Sequence, residues 1–184
     1  MSLSRFVAMA TTALLVSGVA YAQATWSEFV DRTEHFTINL PGDPKVESIT
    51  YKTAKGTSLP AKVYTAQDPR GTYKVTVVNY ATATGETATA RDEAAQAIRA
   101  KGEVKYNALE DIDRIPDQRI TIVLPGNARR QLTEVLFHQN RLYITEAETG
   151  INTPPPAQFQ ASIQMLDDDG VRIRYERDGV TRQR

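Results

Sequence analysis

The run Thr72–Ala81 (TYKVTVVNYA) constrains the fold more than any other stretch of this chain. On an extended backbone Tyr73, Val75 and Val77 fall on one side, and Thr76, Val78 and Tyr80 on the other. Side chains alternate between the faces of a sheet, so this strand needs apolar cover on both. It belongs at the centre of a sheet with helices over at least one face. The rest of the chain has to supply its neighbours and its cover.

Residues 1–22 read as a cleaved secretory signal: Arg5 is the positive start, Phe6–Val19 the apolar run, and Ala20-Tyr21-Ala22 an A-x-A site that places cleavage before Gln23. The apolar run is shorter than the ~20 residues of a spanning helix, and no later segment reaches that length. The expected location is the periplasm or the medium, with residues 23–176 as a single domain and residues 177–184 as a frayed tail. A domain of this size buries about 70% of its unfolded surface and needs no staples. It has none, because the chain contains no cysteine. That excludes disulfides, lipoprotein acylation, thiol catalysis and thiolate metal sites. Acidic and basic residues balance to a formal charge of zero. Such a chain offers no global field for nucleic acid or an anionic membrane.

Thr25-Trp26-Ser27-Glu28 has the form of a capping box and predicts a short helix or turn, with Trp26 as a lid. His35–Leu40 alternates as a strand and stops at Pro41-Gly42-Asp43-Pro44. Lys45–Thr53 and Leu59–Gln67 are further strands, and Asp68-Pro69-Arg70-Gly71 turns the chain into the run at Thr72. Short polar turns between strands imply an antiparallel meander. A helix follows, with Thr89 as N-cap, Gly102 at its end, and Ala90, Ala94, Ala97 and Ile98 as its buried stripe. Val104–Leu109 reads as a strand, Glu110–Gln118 as a polar loop, and Arg119–Leu124 as a strand ending at Pro125-Gly126. Gln131–His138 and Arg141–Glu148 form the clearest hairpin, turning at Gln139-Asn140. Leu-Pro-Gly ends a strand twice, at Leu40–Gly42 and Leu124–Gly126, as reused turn chemistry. Thr153-Pro154-Pro155-Pro156 opens a last helix with Phe159, Ile163 and Leu166 as its apolar stripe, ended by Gly170. Val171–Glu176 reads as a short strand.

Three stretches carry a family resemblance: F-x-I-x-L-P-G-x-P at Phe36–Pro44, RLYITEAE at Arg141–Glu148, and FQASIQ at Phe159–Gln164. With the order of elements, they resemble the PsbP-like fold, shared with the Ran-binding Mog proteins, as found in small exported bacterial proteins. The resemblance implies an α+β domain: an antiparallel sheet of about 6–8 strands between helical layers, an α/β/α sandwich. It also implies a binding or assembly role, as for the extrinsic photosystem II subunits. It transfers no functional residue to this chain.

The residues themselves show little chemistry. Ser27, Ser48, Ser58 and Ser162 lie outside any G-x-S-x-G or S-x-x-K motif. The two histidines, His35 and His138, lack zinc-binding spacing and read as ordinary strand-end residues. The acidic stretches Glu110–Asp117 and Asp167-Asp168-Asp169 match no EF-hand loop. Both read as solvated loops, with a weakly held divalent ion as the sharper alternative for the second. No glycine-rich loop suggests a nucleotide, so no cofactor, metal ligand or catalytic residue is expected. Basic groupings at Arg129, Arg130 and at Arg172, Arg174 are the candidate partner-binding residues. The expected function is that of an exported, non-catalytic binding or accessory domain of the bacterial cell envelope, holding a protein partner. The alternatives are a carrier of a small ligand or ion, and an envelope hydrolase using carboxylates such as Glu110, Asp111 or Asp113.

Overall fold

The run at Thr72 is covered on both faces, as its alternation requires. In the computed structural model, which describes residues 25–176 and 179–183, it forms most of β5 (Gly71–Asn79). The proposed leader and its junction at Ala20, Ala22 and Gln23 lie outside those residues. β5 belongs to a seven-stranded antiparallel sheet with β3 (Lys45–Lys52), β4 (Ser58–Asp68), β6 (Glu103–Ile112), β7 (Ile115–Val123), β8 (Arg129–His138) and β9 (Arg141–Gly150). The strand order is β3-β4-β5-β9-β8-β7-β6, so β5 lies beside the middle strand β9.

The two faces are covered by different means. On one, the helix α1 (Thr87–Arg99) lays Ala90, Ala94, Ala95 and Ile98 on Val78, Ile120, Ile122, Val135 and Leu142. Small side chains let the helix sit close to the strands. On the other, a three-stranded sheet of β1 (Trp26–Asp31), β2 (Phe36–Pro41) and β10 (Gln164–Met165) buries Phe36, Ile38 and Leu40 against Tyr64, Tyr73, Val75 and Tyr143. The expectation of an α/β/α sandwich is therefore corrected. Among the described residues α1 is the one α-helix, and the second cover is a sheet.

Three local readings change for identifiable reasons. Trp26–Asp31 is a strand rather than a capped turn: it pairs with Phe36–Pro41 residue for residue, and the indole packs edge-on to Tyr73 at 4.9 Å. Glu110–Gln118 is not a loop, because Asp113 and Arg114 take left-handed φ of 50° and 66° and close a tight β6–β7 hairpin. The segment after Thr153 makes a single turn around Phe159 and then extends. Ala161, at φ 59°, breaks any helix. Phe159, Ile163 and Leu166 are buried all the same; Ile163 and Met165 reach the core at strand spacing.

Smaller corrections concern the helix and the tail. α1 starts two residues before Thr89, and Ala95 rather than Ala97 is buried. Gly102 closes no left-handed cap. A Cβ there would lie 2.3 Å from the Val123 carbonyl oxygen, so close strand approach excludes a side chain. Residues 179–183, read as part of a frayed tail, form β12 (Gly179–Gln183), antiparallel to β11 (Arg172–Glu176). The hairpin at Gln139-Asn140 turns as expected, with φ of 44° and 59° at the two residues, the mirror-image turn that suits strand twist.

Phe36 lies at the centre of the aromatic face, edge-on to Tyr64 at 5.1 Å and 6.1 Å from Tyr143. Truncating it opens a cavity that rigid sheets on both sides cannot collapse. Phe36→Ala is expected to cost about 3–5 kcal/mol in urea unfolding. A loss below 1 kcal/mol, by the same order-of-magnitude scale, would show that this face is loosely packed.

Candidate functional site

Charged side chains gather where the aromatic face runs out, across β6, β7 and β8. Alternation puts Asp117 and Arg119 on the same side of β7 as Ile115, and Glu134 between Leu132 and Leu136 on β8. The register then sets Glu110 opposite Asp117, and Arg119 opposite Glu134. Arg119 joins two of the three carboxylates. Its Nη1 is 2.7 Å from Glu110 Oε2, and its Nε is 3.0 Å from Glu134 Oε1. Glu134 Oε1 also accepts the Ala161 N–H at 3.1 Å, which ties the segment after β9 to the sheet.

Asp117 is the exception. It is fully buried, and neither of its oxygens accepts a hydrogen bond from another described residue. Burial pushes its carboxyl up from an ordinary 3.8 to about 6; Arg119 opposes the rise and Glu110 adds to it. Burial raises Glu134 as well, again against Arg119. On the helix side Glu146 behaves in the opposite way. Burial would raise it, but Lys74 and Lys101, at 3.3 and 3.0 Å, outweigh that and hold it low.

This cluster can hold a proton near pH 6. Glu110 and Glu134 are held by Arg119, and Asp117 is sealed. The other carboxylates named from the sequence are dispersed: Asp111 accepts the Arg114 N–H at 3.2 Å, and Asp113 pairs with Arg174 at 3.1 Å. One surface cleft contains Glu28 as its one carboxylate, and a smaller one contains Glu34. The run Asp167-Asp168-Asp169 makes a turn, with Asp167 accepting the N–H groups of Asp169 and Val171 at 3.0 and 2.8 Å. Among the described residues no group of three or more histidines and carboxylates could hold a metal ion.

The four candidate arginines are spread over two sheets and occupied within the chain. Arg129 binds Glu148, and Arg130 donates to the Thr153 carbonyl. Arg172 pairs with Glu28, and Arg174 with Asp113. The two histidines, which the sequence treats separately, come together: His35 lies 3.6 Å from Asp168, and the neighbouring His138 is lowered first by burial and then by the charge of His35.

The two outer strands of the large sheet, β3 and β6, are both mostly exposed, and β6 carries the most exposed large apolar side chain described. Val104, Tyr106 and Leu109 are 41%, 46% and 70% exposed. The pairing with β7 shifts by one residue at Lys105, a β-bulge. Asp117, Arg119 and Glu134 were missed in the sequence because the segment before Arg119 was read as a loop. Read as a strand, Ile115, Asp117 and Arg119 share a face, and a carboxylate next to a core isoleucine is the signal.

No family model and no curated protein matches the chain. Among solved structures it is similar to the solution structure of cyanobacterial PsbP (CyanoP) from Synechocystis. The two are 14% identical, with a TM-score of 0.48, over 83% of this chain and 99% of that one. The likeness is one of fold.

The buried carboxylate gives a test with a defined sign. A folded-state pKa above the unfolded value means that stability is fully present below about pH 4 and falls as pH rises through about 6. Asp117→Asn removes that penalty. It is expected to raise stability by about 2–3 kcal/mol at pH 8 and to leave it unchanged near pH 3.5, roughly the unfolded carboxyl range. Urea unfolding of both proteins across this range checks it. A gain of equal size at both ends would show that the charge of Asp117 is not the cause.

Proposed function

We propose that the chain is an exported, non-catalytic binding domain of the cell envelope, and that it holds an extended segment of a partner protein along the outer edge of β6. The observation that carries this reading is the exposed apolar side chains of that edge, on a strand with one row of backbone groups unpaired by any described strand. A strand edge of this kind is a template for an added strand: main-chain bonds give affinity, and side-chain contacts give specificity. The bulge at Lys105 interrupts the ladder and limits open-ended stacking, which suits a defined partner better than a fibre. The proposed leader directs the domain out of the cytoplasm. The absence of nucleophile motifs from the sequence and the pairing of Glu110 and Glu134 by Arg119 favour binding over hydrolysis.

Capture from cross-linked cells tests the face as well as the partner. The unmodified protein is expected to recover one envelope protein reproducibly, and Leu109→Lys to lose it. Because Leu109 is exposed, that change should alter stability by less than about 0.5 kcal/mol. Ile49→Lys on the opposite edge strand β3 is expected to retain the partner. Loss of capture only on reversing Arg129 and Arg130 would move the interface to the arginine face and overturn the β6 reading. Recovery of nothing but the chain itself would replace the partner by a second copy.

A further inference from the structure

The larger of these clefts lies on the outer face of the three-stranded sheet, away from β6, and is an open depression of about 500 Å³. Its floor is built by register: Glu28 of β1 sits opposite Asn39 of β2, and Gln164 of β10 opposite Thr37. One wall is the segment bearing Gln158 and Gln160, and Arg172 of β11 stands beside Glu28. The wall is anchored at two points. Ser162 Oγ accepts the Asn39 N–H at 3.1 Å and donates to the Phe159 carbonyl, while the Ala161 N–H reaches down to Glu134.

The chemistry of this cleft is unusually uniform. Asn39, Gln158, Gln160 and Gln164 all line it, and none of these carboxamides forms a hydrogen bond with another described residue. Asn39, Gln160 and Gln164 are nonetheless partly covered. Each offers two donors and an acceptor side by side. The charges of Glu28 and Arg172 cancel within their own pair. The apolar side chains of the lining are only those of Ala157 and Ala161.

We infer that this cleft binds a neutral, hydroxyl-rich ligand of the size of a short oligosaccharide. Vicinal hydroxyls present alternating donors and acceptors that match a carboxamide at both ends. A net-neutral site gives no advantage to phosphate or carboxylate ligands. A peptide fits less well, because the floor is the face of a sheet and not an edge. Its main chain would find no ladder, and its apolar side chains no pocket. A volume of this order lies within the range of small-molecule sites, about 300–1,000 Å³. The two anchors hold the wall in place before binding, which lowers the ordering cost.

The test is a titration of the ¹⁵N-labelled protein, read at the side-chain NH₂ pairs of the four carboxamides. The probes are an N-acetylglucosamine tetramer, maltotetraose and a neutral Gly-Ser peptide. At least one of the two sugars is expected to shift the Asn39, Gln160 and Gln164 pairs saturably, with a Kd of about 1 mM or tighter. Gln164→Leu and the loop variant Gln160→Leu are each expected to weaken it by about tenfold. The unchanged backbone spectrum elsewhere reports that each variant is folded. Leu109→Lys should bind the same sugar as before, which separates this site from the β6 edge. Unmoved carboxamides with both sugars at about 20 mM, far above that Kd, would overturn the inference. So would shifts produced by the peptide instead, or sugar binding that survives both leucine variants.

Discussion

A sheet whose inner strands are apolar on both faces must be covered twice, and the other elements of this chain answer to that requirement. β5 states it most directly, with Tyr73, Val75 and Val77 buried on one side and Val78 and Tyr80 on the other. α1 can lie close because its contact residues are three alanines and one isoleucine, so little space separates helix and strands. The opposite side carries tyrosines at positions 64, 73 and 143, too bulky for so close an approach. A thin second sheet with Phe36, Ile38 and Leu40 fits between those rings. Their hydroxyls reach out to polar partners at the rim: Tyr64 to Asp31 at 2.6 Å, Tyr143 to the Glu34 carbonyl at 2.9 Å. At these two tyrosines the hydrophobic layer ends in hydrogen bonds.

Both covers are narrower than the seven strands they serve, and the unequal fate of the buried carboxylates follows from that. Beyond the helix, Glu146 is reached by two lysines and Gln131, so its charge is kept. Beyond the small sheet, three carboxylates share one arginine, and Asp117 is left without a hydrogen-bond partner among the described residues. A buried charge without a partner is expensive, and proton uptake is the cheapest relief. The same arginine also steadies Glu134, which in turn holds Ala161. The polar cluster and the wall of the outer cleft are thus parts of one connected structure.

Much of this was legible in the sequence, and the failures have a common form. Elements with clean alternation and a turn of strong chemistry were read correctly: β5, the β8–β9 hairpin with its Gln139-Asn140 turn, and the strands ending at Pro41 and near Pro125. Where a local signal competed with long-range pairing, the local signal misled. Thr25–Glu28 has a capping-box pattern, but Trp26–Asp31 gains six cross-strand partners in β2, and that decides for a strand. Pro154–Pro156 followed by an apolar stripe looks helical, yet Phe159, Ile163 and Met165 satisfy the same core from an extended path. Asp113-Arg114 carries no Asn-Gly or Gly to announce a tight turn, so the β6–β7 hairpin passed for a loop. Tertiary burial overrode propensity in each case. The clustering of Asp117, Arg119 and Glu134 depends on the register of three strands, which no local pattern encodes.

The proposed binding surfaces lie on what is left over after these demands. Among the described residues no further strand pairs with the outer edge of β6, and β1, β2 and β10 cover the aromatic face. The arginines at 129, 130, 172 and 174 are already satisfied by acceptors of their own chain, so a partner would have to break those pairs before using them. Breaking an exposed pair costs little, but a partner gains little in return. An unpaired strand edge and unbonded carboxamides require no such exchange: a ligand displaces only water. On that ground the proposed binding surfaces are the edge of β6 and the outer cleft and not the basic groupings, even though charge is the feature most easily seen in the sequence.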